Sequence, residues 1–498
     1  MVNTSHVLVV PLPGAGHVNP MLQFSRRLVS KGLKVTFIIT KFISKSRQLG
    51  SSIGSIQLDT ISDGYDDGFN QAGSREPYLS SLHDVGPKTL SELIKRYQTS
   101  SSPIHAVIYE PFLAWALDVA KDFGLFAAAF FTCLCQLLQP VLIEGLPLLL
   151  ELQDLPTFVV LPDSYPANVK MTMSQFANLD KADWILINTF YKLECEVVDT
   201  MSKVCPLLTI GPTIPSIYLD KSIEDEDDYG ISLCEIDASL SINWLRTKPT
   251  TSVVYMSFGS CATLSSKQME EIAWGLKRSN FHFWFVEEVE NKGLAVNWSP
   301  QVKVLANEAV GCFFTHCSWN STIEVLSLGV PMVTMPGWSD QQTNSKIVED
   351  AWKVGVRAKV DEHGIVKREE IAICIKEVME GDRGKEMKMN SKKWKDDGDI
   401  EPETLPRCSH HRSSPALPLQ RLSHAMPCHA ITVVQQIKPA AISDRLLQQP
   451  NSTSAATINP DSHATPLSLR PPVPSQQLHH HRIKSSVMEL SQKPKSRV

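Results

Sequence analysis

A histidine stands in a glycine-rich turn near the start of the chain, in a position where ligands often bind. The turn reads Pro13-Gly14-Ala15-Gly16-His17 and separates the apolar run His6–Val10 from a stretch with helical spacing, Leu22–Leu28. Ligands of open α/β sheets bind at the carboxyl ends of the strands, where such a turn lies. His17 is therefore placed where it could contact a bound ligand. A histidine that caps or packs against the helix would occupy the same position.

The same turn is a poor match to a dinucleotide-binding loop. That loop has a third glycine where this chain has Asn19. The next predicted strand ends Ile38-Ile39-Thr40 and is followed by Lys41, not by an acidic residue that could bind a ribose hydroxyl. The alternative of an NAD-dependent oxidoreductase is therefore disfavoured.

A second group of polar residues marks the start of a later helix. The apolar run Gly311–Thr315 leads into His316, and Ser321 and Glu324 have the spacing of a capping box. The free N–H groups and the dipole of a helix N-terminus favour an anion such as a pyrophosphate. Glu324 is either a simple helix cap or a carboxylate that accepts both hydroxyl groups of a ribose.

Two further features suit a nucleotide at the same place. Trp298, in the loop before Gln301, offers a flat aromatic face for a base. The turn Ser257-Phe258-Gly259-Ser260 also follows an apolar run and could close over phosphates. The residues around the helix start, with Asn320 among them, thus predict a site for a nucleotide diphosphate.

The elements that position these residues alternate between strand and helix. Strands are predicted at His6–Val10, Val35–Ile39, His105–Tyr109, Trp184–Asn188, Ser252–Phe258, Phe281–Val286 and Gly311–Thr315, and helices at Leu22–Leu28, Trp115–Phe123 and Ser266–Arg278. This alternation is typical of parallel sheets with helices on both faces. The acidic run DKSIEDEDDY, residues 220–229, is either an interdomain linker or a surface loop within one domain. We predict two Rossmann-like lobes that face each other across a cleft.

Composition excludes several classes of protein. The chain has 48 basic and 53 acidic residues, a net charge of −5, so a nucleic-acid protein built on a basic stripe is excluded. The eleven scattered cysteines contain no CxxC pair, which favours a reducing, cytoplasmic location. The apolar stretch Phe123–Leu138 is short for a membrane span and is interrupted by glutamine. We expect a buried strand leading into a helix there, and no stable membrane insertion.

The last hundred residues differ from the rest of the chain. Residues 401–498 hold 13 of the 32 prolines and 8 of the 15 histidines, and they contain no Gly, Phe, Trp or Tyr. Such a segment cannot bury enough apolar surface to offset its conformational entropy. We predict three parts: an N-terminal lobe of residues 1–235 with its linker at about 214–240, a second lobe of residues 236–395, and a disordered tail of residues 396–498. The three adjacent histidines at 479–481 are read as incidental, and we expect no metal site.

The stretch from Trp298 to Gln341 resembles the 44-residue signature of plant secondary-product UDP-glycosyltransferases, and it matches that length without a gap. The likeness extends from residue 6 to about residue 395. The motifs LPGAGHVNP and ISDGYDDGF, with the linker SIYLDKSIEDEDDYGISL, are similar to the subgroup that glucosylates carboxylic acids, thiohydroximates and small phenols.

The resemblance implies a GT-B architecture, in which the N-terminal lobe holds the acceptor and the second lobe holds UDP-glucose. It implies that Trp298 and Gln301 bind uracil and that Glu324 binds the ribose. The remaining donor-binding residues fall into two sets. The phosphate set is His316, Asn320, Ser321 and Ser260, and the glucose set is Trp319, Asp340, Gln341 and Thr132.

His17 matches the family's general base, and Glu110 matches its acidic partner. The implied reaction is one in-line displacement that inverts the sugar and needs no metal or other cofactor. The implied substrates are UDP-glucose and a small carboxylic acid or phenol, the protein is expected to be a monomer, and no nucleic acid is involved.

The chain departs from the family pattern at several points. Glu110 stands where the family has Asp, and Ser318 stands where it has glycine. The stretches Cys135–Val141 and Phe285–Lys292 are shortened, and an unrelated tail follows Lys395. The alternative to an active enzyme is therefore a catalytically impaired protein that still binds UDP-sugar, or an aberrant gene product such as a shifted reading frame or retained intron would give.

Overall fold

A computed structural model describes residues 5–68, 72, 75–132, 150–203, 205–223, 238–259, 264–285, 293–295 and 299–399. Trp298 and Ser260 lie outside these ranges, as do most of both shortened stretches. The predicted disorder of the tail concerns residues 400–498, which are also outside the described part of the chain. The acidic run is described as far as Ile223.

The first lobe is built on an eight-stranded sheet. Its strands are β1 His6–Val10, β2 Lys34–Thr40, β3 Ser52–Ile53, β4 Ile56–Ile61, β5 Ala106–Tyr109, β6 Phe126–Phe131, β7 Trp184–Ile187 and β8 Leu207–Thr209. They lie in the order β3-β4-β2-β1-β5-β6-β7-β8, and every neighbouring pair is parallel except β3 with β4. The predicted parallel sheet is confirmed. Within the apolar stretch Phe123–Leu138, β6 is the expected strand, and the expected helix after it lies outside the described residues.

Helices cover both faces of this sheet because its strands are apolar on both sides. In β1, Val7 and Val9 face one core, and Leu8 and Val10 face the other. The helices of the lobe are α1 Ala15–Ser30, α2 Lys41–Ser46, α3 Arg75–Gln98, α4 Ala114–Asp122, α5 Thr157–Val160, α6 Pro166–Ser174 and α7 Cys195–Ser202. Among them, α1 packs on one face, and α3 and α4 pack on the other.

The second lobe repeats the design with a six-stranded parallel sheet. Its strands are β9 Val253–Ser257, β10 His282–Phe285, β11 Gly293–Ala295, β12 Val310–Thr315, β13 Met332–Thr334 and β14 Gly355–Arg357, in the order β11-β10-β9-β12-β13-β14. Its helices are α8 Ala238–Leu245, α9 Ser266–Ser279, α10 Gln301–Leu305, α11 Trp319–Leu328, α12 Gln341–Lys346, α13 Arg368–Glu380 and α14 Asp382–Asp399. One π-helical turn, Ile347–Ala351, continues α12.

Helix α14 returns to the first lobe and corrects the predicted boundary at residue 395. The helix continues to Asp399, so residues 396–399 belong to the folded part and not to the tail. Trp394 packs against Phe190, with ring centroids 6.4 Å apart. Lys192 Nζ lies 3.2 Å from a carboxylate oxygen of Asp397. These two contacts join α14 to the first lobe.

None of the helices that the structure describes is both long and apolar enough to cross a membrane. Within the same described ranges, no group of three or more His, Cys, Asp and Glu side chains could hold a metal ion.

Candidate active site

His17 is positioned by the turn between β1 and α1. Gly14 is the N-terminal cap of α1 and has an extended backbone, φ −155° and ψ 144°, and the backbone N–H of His17 donates to its carbonyl oxygen. His17 thus lies in the first turn of the helix, and its side chain is 23% exposed. The structure places it at the carboxyl edge of the first sheet, where the sequence predicts a ligand.

Glu110 follows β5, which is the neighbour of β1 in the sheet. Because both strands end at the same edge, the fold brings Glu110 beside His17, with Oε1 3.3 Å from Nδ1. Glu110 is fully buried, and its Oε2 accepts a hydrogen bond of 3.0 Å from the backbone N–H of Phe112. Neither Nδ1 nor Oε1 has a hydrogen-bond partner in the described part of the chain. The longer carboxylate therefore reaches the imidazole, but without hydrogen-bond alignment.

The ring of His17 is held from a second side by Phe112. The two rings are perpendicular, with centroids 5.8 Å apart. With Nδ1 directed toward Glu110, the opposite ring nitrogen, Nε2, is the one left to meet a substrate. Such an arrangement is suited to taking a proton from an acceptor hydroxyl.

Helix α11 of the second lobe begins opposite this edge. Its N-terminal cap is Ser318, whose φ of −67° and ψ of 155° suit any residue, so the serine fits where the family has glycine. Cys317, directly before it, has a positive φ of 65°. The side-chain amide of Asn320 donates to the carbonyl oxygen of Gly16, the residue before His17. The start of α11 and the turn that holds His17 are therefore in direct contact.

His316 lies between α11 and the glycine turn after β9. It is 9% exposed, and burial lowers its pKa to about 4, so the imidazole is neutral at pH 7. Gly259 has a φ of 73°, and a Cβ there would lie 2.8 Å from Nε2 of His316. Glycine is therefore required at 259 both for its backbone conformation and for space. The turn thus lies against His316 at Gly259, while Ser260, the residue predicted to bind phosphate, lies outside the described residues.

Three of the predicted nucleotide-binding residues form one hydrogen-bonded cluster. Gln301 Nε2 donates to Glu324 Oε2, at 2.7 Å, and to Ser321 Oγ, at 3.0 Å. Glu324 is 4% exposed. The hydroxyl of Tyr255 lies 3.5 Å from Gln301 Oε1 and 2.8 Å from the hydroxyl of Ser299. Burial raises the pKa of Tyr255, so it acts as a neutral hydroxyl here.

Asp340 and Gln341 lie at the start of α12, beside the start of α11. Asp340 Oδ2 accepts from the backbone N–H of Trp319 at 3.3 Å and from the side chain of Asn344 at 2.8 Å. The loss of water around this carboxyl group raises its pKa. Gln341 Oε1 accepts two backbone N–H groups of the preceding loop, from Gly337 and Trp338. Both side chains are thus fixed at the edge of the cleft.

Thr132 and Trp319 are placed differently from one another. Thr132 is buried and directly follows β6, the neighbour of β5, so it lies at the same edge of the first sheet as Glu110. The indole ring of Trp319 is 3% exposed, and its N–H donates to the carbonyl oxygen of Asn188 at 2.8 Å. The indole N–H therefore joins the lobes, and the backbone N–H of Trp319 is bound to Asp340, so the sugar contact of Trp319 stays a prediction.

Sequence reasoning did not identify Asn188 or Asp154, which both join the lobes. Asn188 Oδ1 accepts from the backbone N–H of Thr213, while its carbonyl oxygen binds Trp319. Asp154 forms an ion pair with Arg357 of β14 at 2.6 Å. The position of Asn188 at the end of a predicted strand is a signal that was available. Asp154 carries no comparable signal, since nothing around it in the sequence indicates its partner.

Two models of known protein families match parts of the chain. Residues 235–406 match the family model described as UDP-glucoronosyl and UDP-glucosyl transferase, and residues 3–63 match the model described as glycosyltransferase, N-terminal domain. The chain is similar to flavonol 7-O-beta-glucosyltransferase UGT74F1 of Arabidopsis thaliana, with 49% identity over 423 residues, or 78% of this chain and 93% of the relative. It is 40% identical over 424 residues to mogroside I-E synthase of Siraitia grosvenorii, with 78% of this chain and 93% of the relative covered.

Solved structures share the fold. The crystal structure of Os79 from O. sativa in complex with UDP has a TM-score of 0.75 and 35% identity, and the match covers 79% of this chain and 95% of that one. Phytolacca americana UGT2 complexed with UDP-2fluoro-glucose and pterostilbene has a TM-score of 0.65 and 25% identity, covering 80% and 96%. The predicted two-lobed GT-B fold is confirmed by these structures.

Proposed function

Because the chain belongs to the plant UDP-glycosyltransferases, we propose that it moves glucose from UDP-glucose to a hydroxyl or carboxyl group of a small plant metabolite. The single observation that carries this proposal is the contact between Gly16 and Asn320. It places a general-base candidate, His17, directly beside the helix N-terminus that would bind the diphosphate of the donor.

In the proposed reaction, Nε2 of His17 takes the proton of the acceptor hydroxyl. The acceptor oxygen attacks the anomeric carbon while the bond from that carbon to the UDP oxygen breaks, and UDP leaves with the electron pair. The attack comes from the face opposite UDP, so an α-linked donor gives a β-glucoside. Glu110 stabilises the imidazolium that forms, because its buried carboxylate lies 3.3 Å from Nδ1.

The donor is held by the second lobe in this proposal. The N-terminus of α11, with Asn320 and Ser321, meets the negative charge of the diphosphate. The Oδ1 atom of Asn320 is buried without a hydrogen-bond partner among the described residues, so it can accept a hydrogen bond from a hydroxyl or N–H group of a ligand. A neutral His316 contributes a hydrogen bond rather than a charge. No metal or other cofactor takes part in the proposed mechanism.

For the nucleoside and the sugar, the proposal follows the clusters at the two helix starts. The ribose hydroxyls take the place of Gln301 as donors to Glu324, and uracil lies beside Gln301. The glucose hydroxyls donate to Asp340 and bind Gln341, which are fixed together at the start of α12. The hydrogen bonds from Trp319 and Asn344 both go to Oδ2 of Asp340, and an ionised carboxylate can accept further hydrogen bonds from glucose hydroxyls.

The proposed acceptor is a small carboxylic acid or phenol. The name of one relative, flavonol 7-O-beta-glucosyltransferase, supports a phenolic acceptor. A carboxylic acid is ionised at pH 7 and does not need His17 to remove its proton, whereas a phenol with a pKa near 10 does. The same site can therefore serve both classes, with a different dependence on His17.

We also propose that the protein is a cytoplasmic monomer. In the described part of the chain no disulfide bond joins the cysteines at positions 195, 205, 312, 317 and 374, which suits a reducing compartment. Localisation of a fluorescent fusion and the size of the purified protein in solution test these two points.

The test of the proposed function is turnover by the purified full-length protein. The protein is incubated with UDP-glucose and a panel of aromatic acids, aliphatic acids and phenols, and glucoside and UDP are quantified. We expect a β-glucoside and an equal amount of UDP. Binding of UDP without product formation on any acceptor would support the impaired relative instead, and absence of UDP binding would contradict both.

A further inference from the structure

A short segment of the first lobe packs against the helix α12, at whose start the predicted sugar-binding residues lie. Residues Leu152–Asp154 form a 3-10 turn that packs against α12. Asp154 is 1% exposed, and the hydroxyl of Thr343 in α12 donates to its carbonyl oxygen at 2.7 Å. The turn therefore touches α12 two residues beyond Gln341.

An arginine strengthens this contact by binding both the segment and α12. Arg357, at the end of β14, places Nη1 2.6 Å from Oδ1 of Asp154, and its Nη2 donates to Oε1 of Gln342. The other carboxylate oxygen of Asp154 accepts the backbone N–H of Glu151 at 3.1 Å. Both oxygens of the buried carboxylate are satisfied, and one guanidinium group binds both lobes at once.

The position of this cluster assigns it a role. Gln342 and Thr343 directly follow Asp340 and Gln341 in the chain, so the cluster fixes the first turn of α12 from behind. Without it, Asp340 would still be bound to Asn344 within the same helix, but the turn as a whole would be free to shift. A shift near 1 Å in a group that orients a substrate can cost about a hundredfold in rate.

We propose that Asp154 and Arg357 are positioning residues for the sugar half of the donor site. They hold the start of α12 so that Asp340 and Gln341 meet the glucose. The nucleotide half is built on other elements, α10 and α11, through the hydrogen bonds of Gln301 with Ser321 and Glu324. The naming of the ligand as UDP-glucose rests on the proposed function. The prediction is a selective loss: affinity for the sugar nucleotide falls while affinity for UDP does not.

The test compares UDP with UDP-glucose by calorimetry in full-length protein. We expect Asp154→Asn to leave the affinity for UDP unchanged and to weaken UDP-glucose about tenfold, the loss typical of one charged hydrogen bond. Gln342→Ala removes one contact of Arg357 without leaving a buried charge, and it should act in the same direction with a smaller effect. Equal losses for the two ligands, or no loss for either, would overturn the proposal.

A matched control and a second measurement separate this effect from others. Lys192→Gln breaks another ion pair between the lobes, the one with Asp397, and should change neither affinity. Hydrogen exchange without ligand should be faster at residues 337–346 in Asp154→Asn and unchanged in α11. Unchanged exchange at residues 337–346 would contradict the positioning role even if the protein bound no UDP-sugar. The experiment therefore distinguishes failure of the positioning role from failure of the proposed function.

Discussion

The carboxylate of Glu110 lies 3.3 Å from Nδ1 of His17, close enough to stabilise an imidazolium but not aligned for a hydrogen bond. The reason is local: the same carboxylate caps the turn Pro111–Leu113 through the backbone N–H of Phe112. One side chain thus serves a backbone turn and a candidate base together. The contribution of Glu110 and His17 to proton transfer can be measured by comparing acceptors that need a base with acceptors that do not.

We expect His17→Ala to separate the two acceptor classes. Turnover of phenols should fall by roughly 10²–10⁴, the usual contribution of a general base, while carboxylic acids should lose much less because they are already ionised. The measurement is kcat/KM for a matched phenol and benzoic acid. His363→Ala is the control, since that histidine is exposed and lies outside the candidate site. Equal losses for the two acceptors would contradict the role of His17 as a base.

Substitutions of Glu110 test its charge and its reach separately. Glu110→Gln should lower phenol turnover because the charge that stabilises the imidazolium is removed. Glu110→Asp should raise it, because the shorter carboxylate is the one the family uses with this histidine. Both are measured with the same phenol as above. If Glu110→Gln matched the unmodified protein, Glu110 would act only as the cap of its turn.

Glu324→Ala should weaken UDP binding. The buried carboxylate is the acceptor for Gln301, and the loss of hydrogen bonds to a charged group costs about 1.5–3 kcal/mol, or roughly ten- to a hundredfold in affinity. Calorimetry with UDP measures this directly. Glu308→Ala, at an exposed position of the same lobe, should bind UDP normally. Unchanged affinity in the Glu324 variant would remove it from the ribose site.

His316 predicts a specific dependence of stability on pH. Burial lowers its pKa from 6.5 to about 4, so the unfolded chain binds the proton more readily than the folded protein. The contribution of His316 to the free energy of unfolding is therefore fully present above pH 6.5. It is lost as the pH falls toward 4, and the loss is about 3 kcal/mol because each pKa unit corresponds to about 1.4 kcal/mol. Thermal unfolding of His316→Gln between pH 7.5 and 4 should have a shallower dependence. Parallel curves for the two proteins would contradict the assignment.

Two truncations test where the folded chain ends. Removal of residues 400–498 should leave activity and Tm unchanged. A chain that ends after Lys393 loses Trp394 and Asp397 and should melt roughly 2–3 °C lower, since the loss of a half-buried aromatic contact costs about 2 kcal/mol. If removal of residues 400–498 lowered turnover, the tail would contribute to the enzyme.

The fold was predictable where apolar runs had clear ends. His6–Val10 matches β1 residue for residue because Pro11 stops the strand, and the predicted Ser252–Phe258 extends β9 by one residue at each end. Strand β4 was not predicted, although its buried Ile56 and Leu58 alternate with less buried residues. Three-residue strands such as β13 are too short to show an alternation of apolar and polar residues in the sequence.

The candidate site was predictable as a set of residues but not as a set of contacts. Glu110 and Thr132 directly follow β5 and β6, which are neighbours in the first sheet and end at one edge, and a sequence can indicate such positions. The bond from Trp319 to Asn188 joins positions 131 residues apart, and nothing in either local sequence specifies it. The sequence therefore predicted a sugar contact for Trp319 but not the use of its indole between the lobes.

The return of α14 to the first lobe has a consequence for synthesis of the protein. Lys192 and Asp397 are 205 residues apart, so their contact cannot form until almost the whole described chain has left the ribosome. The first sheet is complete in the chain at Thr209, and an N-terminal unit generally folds first during synthesis. Phe190 therefore stays uncovered by Trp394 while the second lobe is made, and this contact between the lobes forms only once α14 has been synthesised.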